Sequence, residues 1–71
     1  MTEFCRMVAG ILERESVTPE TDFRAGPIWD SLTGFALIVA IAQRYGRRLA
    51  VADLADMKTV ADLAAAAGVD A

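Results

Sequence analysis

The pair Asp30-Ser31 is the part of this sequence whose residue types and position could support chemistry. It precedes an apolar run with helical spacing, and a serine or aspartate at a helix start commonly caps the free N–H groups, which stabilises the helix by about 1 kcal/mol. Those N–H groups and the positive end of the helix dipole also favour a phosphate. Ser31 is therefore either an ordinary helix cap or a hydroxyl that a modifying enzyme reaches. The local sequence leaves both interpretations open.

The composition removes the groups on which most enzymes depend. The chain has 71 residues, no histidine and a single cysteine, Cys5. A His-based triad, a soft metal site and an internal disulfide are therefore excluded. Because no activating base accompanies Cys5, we interpret it as a small packed thiol and not as a nucleophile.

The net charge disfavours nucleic acid as a partner, and the short apolar stretches disfavour a membrane span. The net charge is −3, whereas binding to a phosphate backbone requires a basic surface. Residues 31–52 contain no acid and three arginines, Arg44, Arg47 and Arg48. The longest apolar stretch, Phe35 to Ala42, is far shorter than the roughly 20 residues that span a bilayer, and the first residues lack the features of a signal peptide. We expect a cytoplasmic protein, because a single cysteine suits a reducing compartment.

The apolar spacing predicts three main helices and a short one. We place them at about residues 2–15, 31–45, 52–56 and 60–67, and we find no convincing strand. Gly46 favours a left-handed end for the second helix, and Thr59 with Asp62 fits a capping box that opens the last one. The predicted fold class is all-α, with the helices packed as a bundle in a single domain of residues 1–71.

A long loop, residues 16–30, leads into the second helix, and a loop of this length in so small a domain is usually functional. Its apolar anchors are Val17, Phe23, Ile28 and Trp29. We expect Trp29 to pack the loop onto the bundle, because a large aromatic residue before a helix start commonly serves as a structural anchor. Contact with a group bound nearby is the second interpretation of Trp29.

The second helix carries more apolar surface than one core face requires. Its predicted apolar stripe consists of Leu32, Phe35, Ile38, Ile41 and Tyr45. Gly34 lies inside this helix at a cost of up to about 1 kcal/mol relative to alanine, which either tight helix packing or the close approach of a partner or bound group would explain. We expect the remaining side to be small and apolar, with no carboxylate after Asp30.

Four segments of the sequence together resemble the acyl carrier protein family. They are Asp22-Phe23, the run Ile28-Trp29-Asp30-Ser31-Leu32-Thr33, the helix end Tyr45-Gly46 and the run Thr59-Val60-Ala61-Asp62-Leu63. The resemblance covers nearly the whole chain, to about Ala67. It implies a four-helix bundle with a short third helix and a long loop between the first two helices.

The resemblance also implies a role for Ser31. A separate phosphopantetheinyl transferase would join Ser31 through a phosphodiester to 4′-phosphopantetheine taken from coenzyme A, with Asp30 and Leu32 flanking the attachment site. The thiol of this covalent cofactor would hold acyl groups as thioesters. The chain would be a carrier and not an enzyme. As a monomer it would move cargo from an acyl- or aminoacyl-loading enzyme to downstream synthase or tailoring enzymes.

The second helix departs from the primary fatty-acid carriers, which usually resemble one another in an acidic docking surface. Docking is expected here to rest on apolar and basic residues, namely Leu32, Ala36, Val39, Ala40, Arg44 and Arg47. The Asp-Ser-Leu-Thr start resembles polyketide-type carriers more than peptidyl carriers, and Met1 suggests a discrete protein. The resemblance thus favours secondary-metabolite biosynthesis, with aminoacyl, peptidyl and primary fatty-acid cargo as alternatives.

Two interpretations come from other classes of protein. A small helical adaptor would bind a partner through the apolar face of the second helix and carry no cofactor. A helix-turn-helix protein would bind nucleic acid through Arg44, Arg47 and Arg48, which the acidic total disfavours. Modification of Ser31 distinguishes the carrier from the adaptor.

Overall fold

The computed structural model describes residues 1–26 and 29–69, so Ile28 lies outside the described residues. In these ranges the chain forms four helices: α1 (Thr2–Ile11), α2 (Ser31–Tyr45), α3 (Val51–Ala55) and α4 (Val60–Ala67). The described residues contain no strand, and an isolated antiparallel bridge joins Asp22 to Thr59. The all-α fold class is confirmed.

Two of the four helices differ from their predicted bounds. The first helix was expected to reach residue 15 but ends at Ile11, because Glu13 adopts a left-handed conformation with φ 55°. The N–H groups of Glu13 and Arg14 turn back to the carbonyls of Gly10 and Ala9 at 3.2 and 2.9 Å, which closes the helix end. The third helix was expected at 52–56 and lies one residue earlier, because the Asp53 carboxylate accepts a 2.7 Å hydrogen bond from the N–H of Ala50 and caps the helix there.

The core lies where α1, α2 and α4 meet under the loop. Its fully buried side chains are Phe4, Val8, Phe23, Leu37, Ile41, Val60 and Leu63. At one end the rings of Phe4 and Tyr45 meet edge to face with centroids 5.4 Å apart. The predicted apolar stripe of α2 is partly wrong: Leu37 and Ile41 are buried, whereas Leu32 and Phe35 are 77% and 59% exposed. The two exposed residues lie on the side of α2 opposite the core.

The long loop is held by backbone hydrogen bonds to the connection before α4. The N–H of Phe23 donates to the carbonyl of Lys58 at 3.2 Å, and the N–H of Val60 donates to the carbonyl of Thr21 at 2.9 Å. The ring of Phe23 is fully buried and meets Trp29 edge to face at 5.4 Å. The loop is therefore fixed to the rest of the fold, and through Phe23 it holds Trp29, next to the start of α2, in place.

Candidate functional site

Asp30, and not Ser31, caps the start of α2. Its backbone is extended, and its carboxylate accepts hydrogen bonds from the N–H of Thr33 at 2.8 Å and from the hydroxyl of Thr33 at 3.1 Å. Ser31 is the first residue inside the helix, and its side chain is exposed. The capping function that the sequence could have assigned to either residue therefore belongs to Asp30. The Ser31 hydroxyl lies at the surface, beside an ordered turn.

The same hydrogen bonds set the charge of this turn. The backbone N–H of Thr33, followed by its hydroxyl, lowers the pKa of Asp30 below its ordinary value, against an opposing effect of desolvation. The carboxylate is thus ionised at neutral pH next to Ser31. The positive end of the α2 dipole lies at the same place and favours an anion.

A groove of about 270 Å³ runs from Ser31 along the space between α2 and α3. Its lining residues are Arg24, Trp29, Asp30, Ser31, Gly34, Phe35, Val51, Leu54 and Ala55. Asp30 adjoins Ser31 in the chain, Arg24 is the other charged lining residue, and the remaining residues are apolar. Such a surface fits a group that is anionic where it is attached and apolar further on.

Five of the six predicted docking residues fall into two groups in the structure. Leu32, Ala36 and Val39 are exposed on the outer side of α2, one helical turn apart. Ala40 is half-buried against the core, and with Arg44 it borders a second cavity, between α1 and α2. Ala40 and Arg44 therefore do not belong to the outer side of α2 that carries Leu32, Ala36 and Val39.

Arg47 lies against the far end of the bundle. Its Nη2 atom is 2.9 Å from the position that a side-chain Cβ would take at Gly68, the residue that ends α4 with φ 80°. The guanidinium thus lies beside the C-terminal end of α4, where the helix dipole favours a cation.

The groove itself was missed at the sequence level. Phe35 was assigned to the core stripe, and Val51, which is 68% exposed, was assigned to a connector. The 100° turn per residue places Phe35 nearer to Leu32 and Val39 than to Leu37, so a helical wheel centred on Leu37 would have shown it to be exposed. Val51 gives no such signal, because it lies at the start of a helix of five residues.

Residues 2–67 match the family model described as the phosphopantetheine attachment site. The match covers nearly the whole chain, so the chain belongs to this family of carrier proteins. No significant match to the chain was found among curated proteins or among solved structures.

Membership of this family defines the class of function. The chain is a carrier protein and not a catalytic enzyme, and its covalent cofactor is 4′-phosphopantetheine. Carrier proteins of this kind interact with a phosphopantetheinyl transferase and with acyl-handling enzymes. None of the helices in the described part of the chain is long and apolar enough to cross a membrane.

Proposed function

We propose that Ser31 is the attachment residue for phosphopantetheine. The observation that supports it most strongly is the division of roles at the start of α2, where Asp30 caps the helix through Thr33 and the neighbouring Ser31 hydroxyl stays exposed. The other serine, Ser16, is also exposed, but it lies in the loop, away from a helix start and from the groove. The hydroxyl of Thr33 is bonded to Asp30.

In this proposal Ser31 Oγ forms a bond to the pantetheine phosphate of coenzyme A. The phosphoanhydride P–O bond breaks, adenosine 3′,5′-bisphosphate leaves, and the hydroxyl proton passes to the transferase. Asp30 keeps the turn in place, and the positive end of the α2 dipole stabilises the new phosphodiester. The arm ends in a thiol that carries acyl groups as thioesters, so the reactive sulfur belongs to the cofactor and not to Cys5.

Partner enzymes are proposed to dock on the outer side of α2 around Leu32, Ala36 and Val39, with Asp30 and Leu32 beside the attachment point. Ala40, Arg44 and Arg47 extend the surface only at its margins. The absence of an acid in the first turn of α2 and the basic Arg44 in its last turn support an apolar interface over an acidic one. Partners would include a loading enzyme and a downstream synthase or tailoring enzyme.

This surface supports a specialised pathway over primary fatty-acid synthesis. We assign the carrier to polyketide-like secondary-metabolite biosynthesis, as a cytoplasmic monomer whose four helices form one carrier domain. Support comes from the Asp-Ser-Leu-Thr start and from the lack of carboxylates on α2 after Asp30. Aminoacyl, peptidyl or primary fatty-acid cargo are the alternatives.

The test is the intact mass before and after incubation with coenzyme A and a broad-specificity phosphopantetheinyl transferase. The wild type and Ser16→Ala are expected to gain one phosphopantetheine, and Ser31→Ala is expected to gain none while staying folded. Ser16→Ala is the matched control, because the chain contains only these two serines. Loading of Ser31→Ala would contradict the assignment. Failure of the folded, unmodified wild type to load would favour the adaptor.

A further inference from the structure

Trp29, Gly34 and Leu54, three of the residues that line the groove beside Ser31, meet one another. Measured from the position of a Cβ on Gly34, the Cη2 atom of Trp29 lies at 3.4 Å and the Cδ1 atom of Leu54 at 3.5 Å. Gly34 is itself buried. The indole and the leucine therefore close the space between α2 and α3 at this level, each within ordinary contact distance of the Cβ position on Gly34.

The indole of Trp29 packs against a residue of the core. Its ring meets Phe23 edge to face at 5.4 Å, and Phe23 is fully buried and bonded through its N–H to Lys58. The Leu54 side chain is 4% exposed. Aromatic pairs of this kind add to the stability that burial provides. The closed end of the groove is thus anchored in the core, so a chain entering from Ser31 meets a fixed wall.

The mouth of the groove carries uncovered apolar surface. Phe35 is 59% exposed and Val51 is 68% exposed, and both line the groove that Ser31 opens. Covering such surface removes it from water and is favourable. The occupant that the structure places within reach is the group carried on Ser31 itself, because the attachment residue is part of the wall.

We propose that Trp29 makes this a carrier for short acyl groups, which lie in the surface groove and go no deeper. An apolar cavity of about 150 Å³ is enough to bind benzene, and this groove measures about 270 Å³. It therefore holds the end of the arm and an acyl group of roughly six carbons. Longer chains extend into solvent, because Trp29 and Leu54 bar the way to the interior. This inference rests on the proposed attachment at Ser31.

The experiment uses Trp29 as its own reporter, because it is the one tryptophan in the chain. A transferase that accepts acyl-coenzyme A loads the protein with acetyl, hexanoyl or dodecanoyl pantetheine, and intact mass verifies each loading. Acrylamide quenching of the indole is then measured. Hexanoyl is expected to lower the quenching constant about twofold relative to acetyl by covering the exposed part of the ring. Dodecanoyl is expected to lower it no further.

Variants test the wall and the mouth separately. In Trp29→Ala, dodecanoyl is expected to raise the melting temperature more than hexanoyl does, whereas in the wild type the two are equal. Phe35→Ala, which removes an exposed side chain and keeps the core, is expected to lose the hexanoyl effect on quenching. Val17→Ala is the control, because this half-buried loop residue lies outside the groove and its change leaves the hexanoyl effect intact.

Two results would overturn the inference. In a loaded wild type, greater protection by dodecanoyl than by hexanoyl would show that the interior is open to long chains. Equal quenching with acetyl and hexanoyl would show that the groove does not hold the acyl group. A wild type that does not load at all would instead refute the attachment at Ser31, and intact mass distinguishes that failure from the other two.

Discussion

The first turns of α2 and α4 use aspartate and threonine in opposite orders. At α2, Asp30 is the cap and its carboxylate accepts from the N–H of Thr33 at 2.8 Å. At α4, Thr59 is the cap and its hydroxyl accepts from the N–H of Asp62 at 3.3 Å, while the Asp62 carboxylate accepts from the N–H of Thr59 at 3.0 Å. Both starts are capped, but only the second has the reciprocal capping box.

The residues after the two caps differ more than the caps do. The first residue of α4, Val60, is fully buried and its N–H is bonded to the loop, whereas the first residue of α2, Ser31, is exposed. The fourth residue is the buried Leu63 in α4 and Gly34 in α2. The start of α4 thus holds the fold together. The start of α2 is capped by Asp30 and keeps the Ser31 hydroxyl and an apolar surface exposed.

The largest difference in the free energy of unfolding is expected between substitutions at the first residue of α4, Val60, and the first residue of α2, Ser31. Val60→Ala removes buried methyl groups and should lower the free energy of unfolding by about 2 kcal/mol. Ser31→Ala removes an exposed hydroxyl and should change it by less than about 0.5 kcal/mol. Urea denaturation of both variants measures the difference. Equal losses would mean that the Ser31 side chain has a structural role that its exposure does not indicate.

The next largest effect is expected at Thr59, where two substitutions distinguish the contribution of the capping hydroxyl from that of the side-chain methyl group. Thr59→Ala should cost about 1 kcal/mol, because the N–H of Asp62 loses the hydroxyl acceptor of the cap and keeps only the backbone carbonyl of Thr59. Thr59→Ser keeps the hydroxyl and should stay within about 0.5 kcal/mol of the wild type. Thermal unfolding gives both values. If the serine variant lost as much as the alanine variant, the threonine methyl group and not the cap would be responsible.

A gain in stability is expected at the fourth position of α2. Gly34→Ala should stabilise by about 0.5–1 kcal/mol, since the added Cβ makes ordinary contacts with Trp29 and Leu54 while the helix loses a glycine. Gly46→Ala is the control, because its φ of 69° penalises any side chain by about 1 kcal/mol or more. Calorimetry measures the change in stability, which should be a gain for Gly34→Ala and a loss for Gly46→Ala. A destabilised Gly34→Ala would mean that the indole lies too close to accept a methyl group.

The smallest effect is expected from the pH dependence of the two aspartates. Backbone N–H groups, of Thr33 for Asp30 and of Thr59 for Asp62, lower both pKa values below the ordinary 3.8. A lowered pKa in the folded state adds stability above 3.8, and this stability is lost as the pH falls through the lowered value. The wild type should therefore lose more melting temperature between pH 5 and pH 3 than Asp30→Asn or Asp62→Asn. Parallel curves for all three would contradict the assigned cause.

Much of this fold could be predicted from local patterns. Gly46 was expected to end α2 in the left-handed conformation, and it has φ 69°. The Thr59–Asp62 capping box is present in the structure. These features depend on residues close in sequence, with side-chain chemistry that favours one geometry. The end of α1 was wrong, because Glu13 takes a conformation that usually requires glycine and no sequence signal marks it.

The site was less predictable, because it depends on contacts between distant segments. The pairing of the loop with the residues before α4 uses backbone groups, which any sequence possesses, so the composition does not reveal it. The roles of Asp30 and Ser31 stayed ambiguous, because both residue types can cap a helix. Trp29 was assigned correctly as an anchor, but its contact with Gly34 requires the three-dimensional arrangement of α2 and α3.

The central claim is that the modified group lies on Ser31. After loading, tryptic cleavage following Arg24 and Arg44 yields a fragment, residues 25–44, that contains Ser31 and Thr33 but not Ser16. Fragmentation of this peptide should place one phosphopantetheine on Ser31, with Thr33 and the fragment containing Ser16 unmodified. Modification of Thr33, or of the fragment containing Ser16, would contradict the account, because it would mean that the exposed hydroxyl beside the Asp30 cap is not the attachment point.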